Sequence, residues 1–252
     1  MNILLVNDDG IYAPGIQALA NVLKKDHKVY VIAPERQMSG TSHSITFYGY
    51  LNYEKLDIIE GVESYVLNGT PSDCTKFGLQ IILKGINIDL VISGINAGYN
   101  IGTDILYSGT VNASIEGGIS KIKSIAVSQR YQLKDYSYSA EFVYKNLDKL
   151  CKMIDEKNHI SLSINIPGLK EDLKGVKIAR IGDIRYDDYY VYEENKGYHI
   201  MGEPVEGMVK SKSDDVEVIK NNYITISFVK IDYNDKLSYE KYKDEKIELW
   251  NV

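Results

Sequence analysis

Apolar positions in the first half of the chain alternate between two periods. Asn2–Val6 (NILLV) is an apolar run of strand length. The polar turn NDDGIYAPG follows, and Ile16, Leu19, Ala20 and Leu23 then recur at the spacing of one buried helical face. Pro14 suits the first turn of that helix. His27–Ala33 predicts a second strand stopped by Pro34, and Pro71–Leu83 a helix with Ser72 as its cap. Asp89–Ser93 is a third buried strand opening into the turn GINAGYN. Ser114–Ile119 belongs to a helix entered from YSGTVN, and Ser124–Ser128 is the next strand. Strands without alternation, each followed by a helix, predict a parallel sheet covered on both faces. The expected class is α/β, doubly wound.

After Arg130 the pattern changes. Ser139–Glu156 reads as one long amphipathic helix, His159–Ile166 as a strand ending at Pro167, and Gly175–Ile181 as another strand. Tyr186–Tyr198 places five tyrosines around a Glu-Asn-Lys-Gly turn, an aromatic hairpin without an evident core partner. Tyr223–Ile231 is a late strand, and Asp235–Val252 a charged tail. A soft boundary falls near Arg130.

Composition narrows the function classes. The chain has 252 residues, 44% hydrophobic and 25% charged, enough for one large or two small domains and too apolar for a disordered chain. Its 35 acidic against 29 basic residues give a net charge of -6, which argues against a broad face for nucleic-acid polymers. Cys74 and Cys151 cannot build a zinc cluster or a disulfide framework. The start MNILLVNDDG has no basic region of a signal peptide, and no apolar run approaches the ~20 residues of a membrane span. A reduced, cytoplasmic protein that makes no use of a membrane is the expectation.

In open α/β sheets, ligands bind beyond the carboxyl ends of the strands, so the residues that follow each apolar run carry the chemistry. After the first strand stand Asn7, Asp8, Asp9 and Gly10. Adjacent carboxylates there need a positive neighbour, and a hard divalent cation, Mg²⁺ or Mn²⁺, supplies one through oxygen ligands; a capping Asp beside a turn Asp is the plainer alternative. The loop after the second strand offers Ser39, and the turn after the third offers Asn96. Two carboxylates, a hydroxyl and an amide form a hard-cation set. Ser108, Gly109 and Thr110 precede a helix, where free N–H groups and the dipole attract an anion; an ordinary N-cap by Ser108 or Thr110 explains the same residues. A cation site and an anion site on one sheet edge point to phosphoryl chemistry. No G-x-G-x-x-G, P-loop or G-x-S-x-G pattern is present.

Taken in order, NDDGIYAPGI, SGTSHSIT, NGTPSDC, SGINAGYN and YSGTVNASIEG resemble the SurE survival-protein family of metal-dependent nucleotidases, and SINIPG and the hairpin before MGEP extend the match more loosely. The resemblance implies a Rossmann-like core over residues 1–130. Residues 131–252 would complete the sheet and supply a hairpin at about 183–203 and a tail for oligomerisation. It implies hydrolysis of nucleoside 5′- and 3′-monophosphates, with short polyphosphate a further substrate in some members, and one divalent metal per subunit held by Asp8, Asp9, Ser39 and Asn96. It also implies homodimers or homotetramers formed by exchange of C-terminal segments and hairpin arms. One departure touches the C-terminal part: where the family reads S-x-T-P-L, this chain has Thr225-Ile226-Ser227-Phe228-Val229.

Within that expectation Asp8 or Asp9 takes a proton from the attacking water, Asn96 and Ser108–Thr110 hold the phosphate, and His43 is a candidate proton donor to the leaving alkoxide, since histidine titrates near neutral pH. A hydrogen-bonded loop histidine explains His43 equally well. Two other readings are open: a receiver-like Mg²⁺-binding signalling domain, which Asn96 in place of a phospho-accepting Asp and the chain length disfavour, and a silent nucleotide-binding protein.

Overall fold

The computed structural model describes residues 1–154, 161–205, 211–231 and 235–245. Among these residues eleven strands and six α-helices follow in chain order: β1 (Asn2–Val6), α1 (Pro14–Leu23), β2 (Lys28–Pro34), β3 (Tyr53–Leu56), β4 (Glu63–Leu67), α2 (Pro71–Phe77), β5 (Leu90–Ala97), α3 (Gly109–Ile119), β6 (Lys123–Gln129), α4 (Ser137–Met153), β7 (Ser161–Ile166), β8 (Gly175–Ile178), β9 (Tyr186–Glu193), β10 (Gly197–Pro204), α5 (Asp215–Lys220), β11 (Tyr223–Val229) and α6 (Lys236–Tyr242). Nine strands form one sheet in the order β3-β4-β2-β1-β5-β6-β7-β11-β8. From β4 to β7 every neighbouring pair is parallel. Only β3 against β4 and β11 against β7 run antiparallel, near the two ends of the sheet.

The central strands are unbroken apolar runs because both faces are covered. Along β1, Ile3 and Leu5 face a core shared with Ile16 and Leu19 of α1 and Val143 and Leu147 of α4. Leu4 and Val6 face the opposite layer, with Cys74 of α2 and Ala113 of α3. This is the doubly wound α/β class expected from the pattern. β6 and β7 pair across Arg130, whose N–H donates to the Ile166 carbonyl at 3.0 Å. The chain leaves β1 towards β2 on one side and later takes up β5 on the other, so the topological switch point opens beyond the ends of β1 and β5.

Several expected boundaries move. Strands β3 and β4 lack a continuous apolar run: three of the four β3 residues are solvent-exposed and β4 buries only Ser64 and Leu67, because they sit at the edge end of the sheet. The predicted helix Pro71–Leu83 becomes α2 followed by a wider π-helical turn over Gly78–Ile82. Its cap is Thr70 rather than Ser72. Thr70 Oγ1 accepts from the Asp73 N–H, and the Asp73 side chain accepts from the Thr70 N–H, while Pro71 takes the first helical position. β5 continues through Gly94 and Asn96 to Ala97 instead of ending at Ser93, with a register shift between Gly94 and Asn96 and a cis Gly94–Ile95 peptide. Strand β8 stops at Ile178 and β11 at Val229.

The Tyr186–Tyr198 segment is a hairpin in its own two-stranded sheet, with Asn195 at φ +63° in the turn. Asp155, Glu156, His159 and Ile160, expected in the long helix and the strand after it, lie outside the described residues, as do residues 246–252 of the tail. Among the described residues no helix is long and apolar enough to cross a membrane.

Candidate active site

The turn after β1 is shaped by Asn7, whose buried side chain donates to the Gly10 carbonyl at 2.8 Å and accepts from the Gly10 N–H at 3.2 Å. Gly10, at φ +98°, takes a backbone conformation that a side chain would oppose. The Met38 N–H donates to the Asp8 carbonyl at 2.7 Å and the Ile11 N–H to Pro34 at 3.0 Å, so the loop after β2 lies across the turn.

Four segments converge here through their hydrogen bonds. The Thr110 hydroxyl, in the first turn of α3, donates to Asp8 Oδ1. The Ala97 N–H, one residue past Asn96, donates to Asp9 Oδ2 at 3.3 Å. Gln37 Nε2 reaches Asp9 Oδ1 at 3.4 Å and Ser39 Oγ at 3.0 Å, which ties these two candidate ligands to one amide. Asn96 Nδ2 is committed to the Gly98 carbonyl at 3.0 Å, so Oδ1 is the atom the side chain can offer a cation. Gly109 has no room for a side chain: a Cβ there would stand 2.9 Å from Asp8 Cβ and 3.1 Å from Thr41 Oγ1. The N-terminus of α3 therefore abuts Asp8. Ser108 caps that helix by accepting from the Val111 N–H at 3.0 Å.

Asp8 is only 4% exposed, and burial, reinforced by the charge of Asp9, pushes its pKa up to about 6 against the opposing hydrogen bond from Thr110. Burial also raises Asp9, opposed by Ala97 and Gln37. No lysine, arginine or histidine is among the main influences on either carboxylate. Two adjacent desolvated carboxylates with no positive partner beside a hydroxyl and an amide oxygen match the donor chemistry of a hard divalent ion. Among the described residues no three His, Cys, Asp or Glu side chains gather for a metal, so neutral oxygens would complete any such set.

His43 is drawn elsewhere. Its Nε2 lies 2.9 Å from Glu116 Oε2, and Lys76 Nζ meets Glu116 Oε1 at 2.8 Å. Burial works against the Glu116 charge, but the hydrogen bonds from His43 and Lys76 hold its carboxyl below the usual range. Glu116 sits two turns, roughly 10 Å, down α3 from Gly109. Only Nδ1 of His43 is left to face a leaving group.

Sequence reasoning missed Gln37, Glu116 and Lys76 as members of this neighbourhood, and Thr110 as the hydrogen-bond donor to Asp8. Glu116 stands inside YSGTVNASIEG and marks itself only as a lone acid among small and apolar residues. Elsewhere, a cleft of about 770 Å³ lined by Met1, Asn87, Asp89 and Lys121 opens at the amino ends of β1 and β5, away from the switch point.

Comparison with known proteins identifies the family. The family model "Survival protein SurE" matches residues 3–188. The chain is 42% identical over 246 residues to a protein from Clostridium beijerinckii named 5′-nucleotidase SurE, covering 93% of this chain and 95% of that one. It is 41% identical over 235 residues to a protein of the same name from Clostridium botulinum, covering 90% and 92%. The crystal structure of the SurE protein from Aquifex aeolicus superposes with a TM-score of 0.81 at 34% identity, over 96% of this chain and 98% of that one. A match across both halves of the chain leaves no support for a receiver-like domain. The chain belongs to the SurE family.

Proposed function

We propose that this protein is a divalent-metal-dependent nucleotidase that hydrolyses nucleoside 5′- and 3′-monophosphates to nucleoside and phosphate, with short polyphosphate as a further substrate. One observation carries the reading: buried Asp8 and half-buried Asp9 stand side by side at the topological switch point, without a salt-bridge partner among the described residues, with Asp8 against the N-terminus of α3. The name shared by the clostridial relatives supports the substrate class.

Asp8, Asp9, Ser39 Oγ and Asn96 Oδ1 would hold one Mg²⁺ or Mn²⁺ per subunit. When bound, such an ion supplies Lewis-acid polarisation of a phosphate oxygen and lowers the pKa of water. The first-turn backbone at Ser108, Gly109 and Thr110 receives the phosphate with the positive end of α3, and Asn96 orients it. Asp8 or Asp9 accepts the proton of the attacking water.

In this reading residues 1–130 carry the site, and residues 131–252 complete the sheet. The hairpin at about 183–203 and the tail join copies into a homodimer or homotetramer. The exposed rings of Tyr189, Tyr190, Tyr192 and Tyr198 support that role. The two cysteines are buried free thiols, in keeping with a reducing cytoplasm. The net charge of -6 argues against nucleic-acid polymers as substrates.

The test is a panel of nucleoside 5′- and 3′-monophosphates assayed with Mg²⁺, with Mn²⁺ and with EDTA. Phosphate release with metal and none with EDTA is expected. Absence of release from every nucleotide with either metal would sink the reading.

A further inference from the structure

The loop from Met38 to Thr46 carries Ser39 into the site, yet its backbone is not at rest there. Gly40 turns the chain at φ +72°, and Ser42 is at φ +55°, a conformation that residues with a side chain rarely adopt and that persists only where the surroundings enforce it. Three sets of contacts enforce it. At the start, the Met38 N–H donates to the Asp8 carbonyl at 2.7 Å and Thr41 Oγ1 to the Met38 carbonyl at 2.8 Å. At the end, Thr70 Oγ1 donates to the Ser44 carbonyl at 2.6 Å, and the Thr46 N–H and hydroxyl donate to Asp73. In the middle, Ser42 donates through its N–H to Tyr107 and through its hydroxyl to Leu106, and the next side chain, His43, reaches Glu116.

The middle anchor has an unusual foundation. Glu116 is a carboxylate with 5% side-chain exposure on the inner face of α3, and its two oxygens are divided between different elements: Oε2 to His43 of the loop, Oε1 to Lys76 of α2. A carboxylate so buried keeps its charge only while both partners stay in place. It therefore acts as a fixed post between loop, α2 and α3, the helix whose N-terminus abuts Asp8.

We infer that Glu116 is a positioning residue: through His43 it fixes the strained Ser39–Ser44 loop against α3, and so sets where Ser39 and Thr41 stand in the site. The inference rests on the proposed role of Ser39. Glu116 touches neither substrate nor cation. His43 serves as its tether through Nε2, 2.9 Å from Glu116 Oε2.

Four proteins test this: wild type, Glu116→Gln, His43→Ala and His43→Gln, whose side-chain amide can still donate to Glu116. Amide hydrogen exchange is measured on the metal-free proteins, and steady-state kinetics on a nucleoside monophosphate with Mg²⁺. Glu116→Gln and His43→Ala are expected to speed exchange at the Met38 and Ser42 amides about 10-fold. They should lower kcat about 10- to 100-fold through misplaced groups, with KM for the nucleotide close to wild type. His43→Gln is expected to recover most of both losses. Unchanged exchange at Met38 and Ser42 in Glu116→Gln would overturn the inference. So would His43→Gln as impaired in kcat as His43→Ala, an outcome that gives the ring itself a proton to move. Should Glu116→Gln fail to fold, the two His43 variants decide the matter. A wild type that releases no phosphate defeats the proposed activity and leaves the exchange measurement to judge the anchor.

Discussion

The Thr110 hydroxyl donates to Asp8 Oδ1 across 102 positions of sequence, and both side chains are buried. That bond opposes burial and the neighbouring charge of Asp9, favouring the ionised carboxylate that a cation needs. Thr110→Val keeps the shape and removes the donor. A hydrogen bond to a charged group is worth about 1.5–3 kcal/mol, so Mn²⁺ affinity at pH 7 is expected to weaken about 10- to 100-fold. Electron paramagnetic resonance titration of free Mn²⁺ reads this directly, and equal affinities in the two proteins would show that Thr110 does not hold Asp8 ready.

Asp8→Asn removes one ligand charge while preserving volume. Activity on p-nitrophenyl phosphate with Mg²⁺ or Mn²⁺ is expected to fall about 100-fold or more, the loss typical when a main electrostatic contact to the reacting group goes. The circular dichroism spectrum should stay that of wild type. A variant as active as wild type would place the site elsewhere.

The same carboxylate makes the metal-free protein sensitive to pH. Folded Asp8 keeps its proton up to about pH 6, whereas in the unfolded chain it loses it near the ordinary value of 3.8. Between those values the unfolded state binds fewer protons, so stability falls as pH rises, by about 3 kcal/mol in all. Urea unfolding in EDTA should give a higher midpoint at pH 4.5 than at pH 7 from this group. Asp8→Asn should flatten the difference, and saturating Mn²⁺ at pH 7 should restore the lost stability to wild type only. A wild-type difference that survives in Asp8→Asn would assign it to other groups.

Asp8, Asp9 and Asn96 are legible in the sequence as candidates because each stands at or just beyond an apolar run, and Ser39 because it lies in the loop after one; the doubly wound topology fixes which strand ends meet. What escaped depends on contacts between distant segments. Nothing local in YSGTVN reveals that Thr110 answers Asp8, and His43 looks the same in a list of loop residues whether it faces the phosphate or Glu116, 73 positions on. Edge position hid β3 and β4, since strands buried on one side or neither lack the apolar run that marked β1 and β5. Thr70 and Ser72 differ only in their relation to Pro71, and the proline's preference for the first helical position decides for Thr70.

Gly15 carries the packing of α1 on β5. A Cβ there would come within 2.0 Å of the Ile95 carbonyl oxygen and 3.1 Å of the Tyr136 ring. Because the obstacle is backbone beside Asn96, neither partner can yield without moving the site. Gly15→Ala is expected to cost about 1–3 kcal/mol in urea unfolding and to weaken Mn²⁺ binding as well. Loss of stability with unchanged Mn²⁺ affinity would show that the end of β5 adjusts without Asn96.

The arm formed by β9 and β10 presents an apolar surface that no other described residue covers. Tyr190 and Ile200 stand directly opposite in the antiparallel register, 68% and 57% exposed, and the Tyr192 and Tyr198 rings pack 5.2 Å apart beside them. A lone two-stranded hairpin is marginally stable in water, and such a cluster of exposed aromatic and aliphatic groups marks a contact surface. At its root the arm is tied to the 102–107 segment by Tyr186 donating to Asp104 at 2.6 Å and by Thr103 donating to the Ile184 carbonyl. The base is therefore held while the tip projects. Wild type at micromolar concentration is expected to run as a dimer or tetramer in light scattering coupled to gel filtration. Tyr190→Glu with Ile200→Glu places two like charges opposite one another within the arm and should shift the protein towards monomer. The core should stay folded, because neither residue belongs to the nine-stranded sheet. A monomeric wild type, or a charged double variant with the wild-type mass, would remove the arm from the assembly.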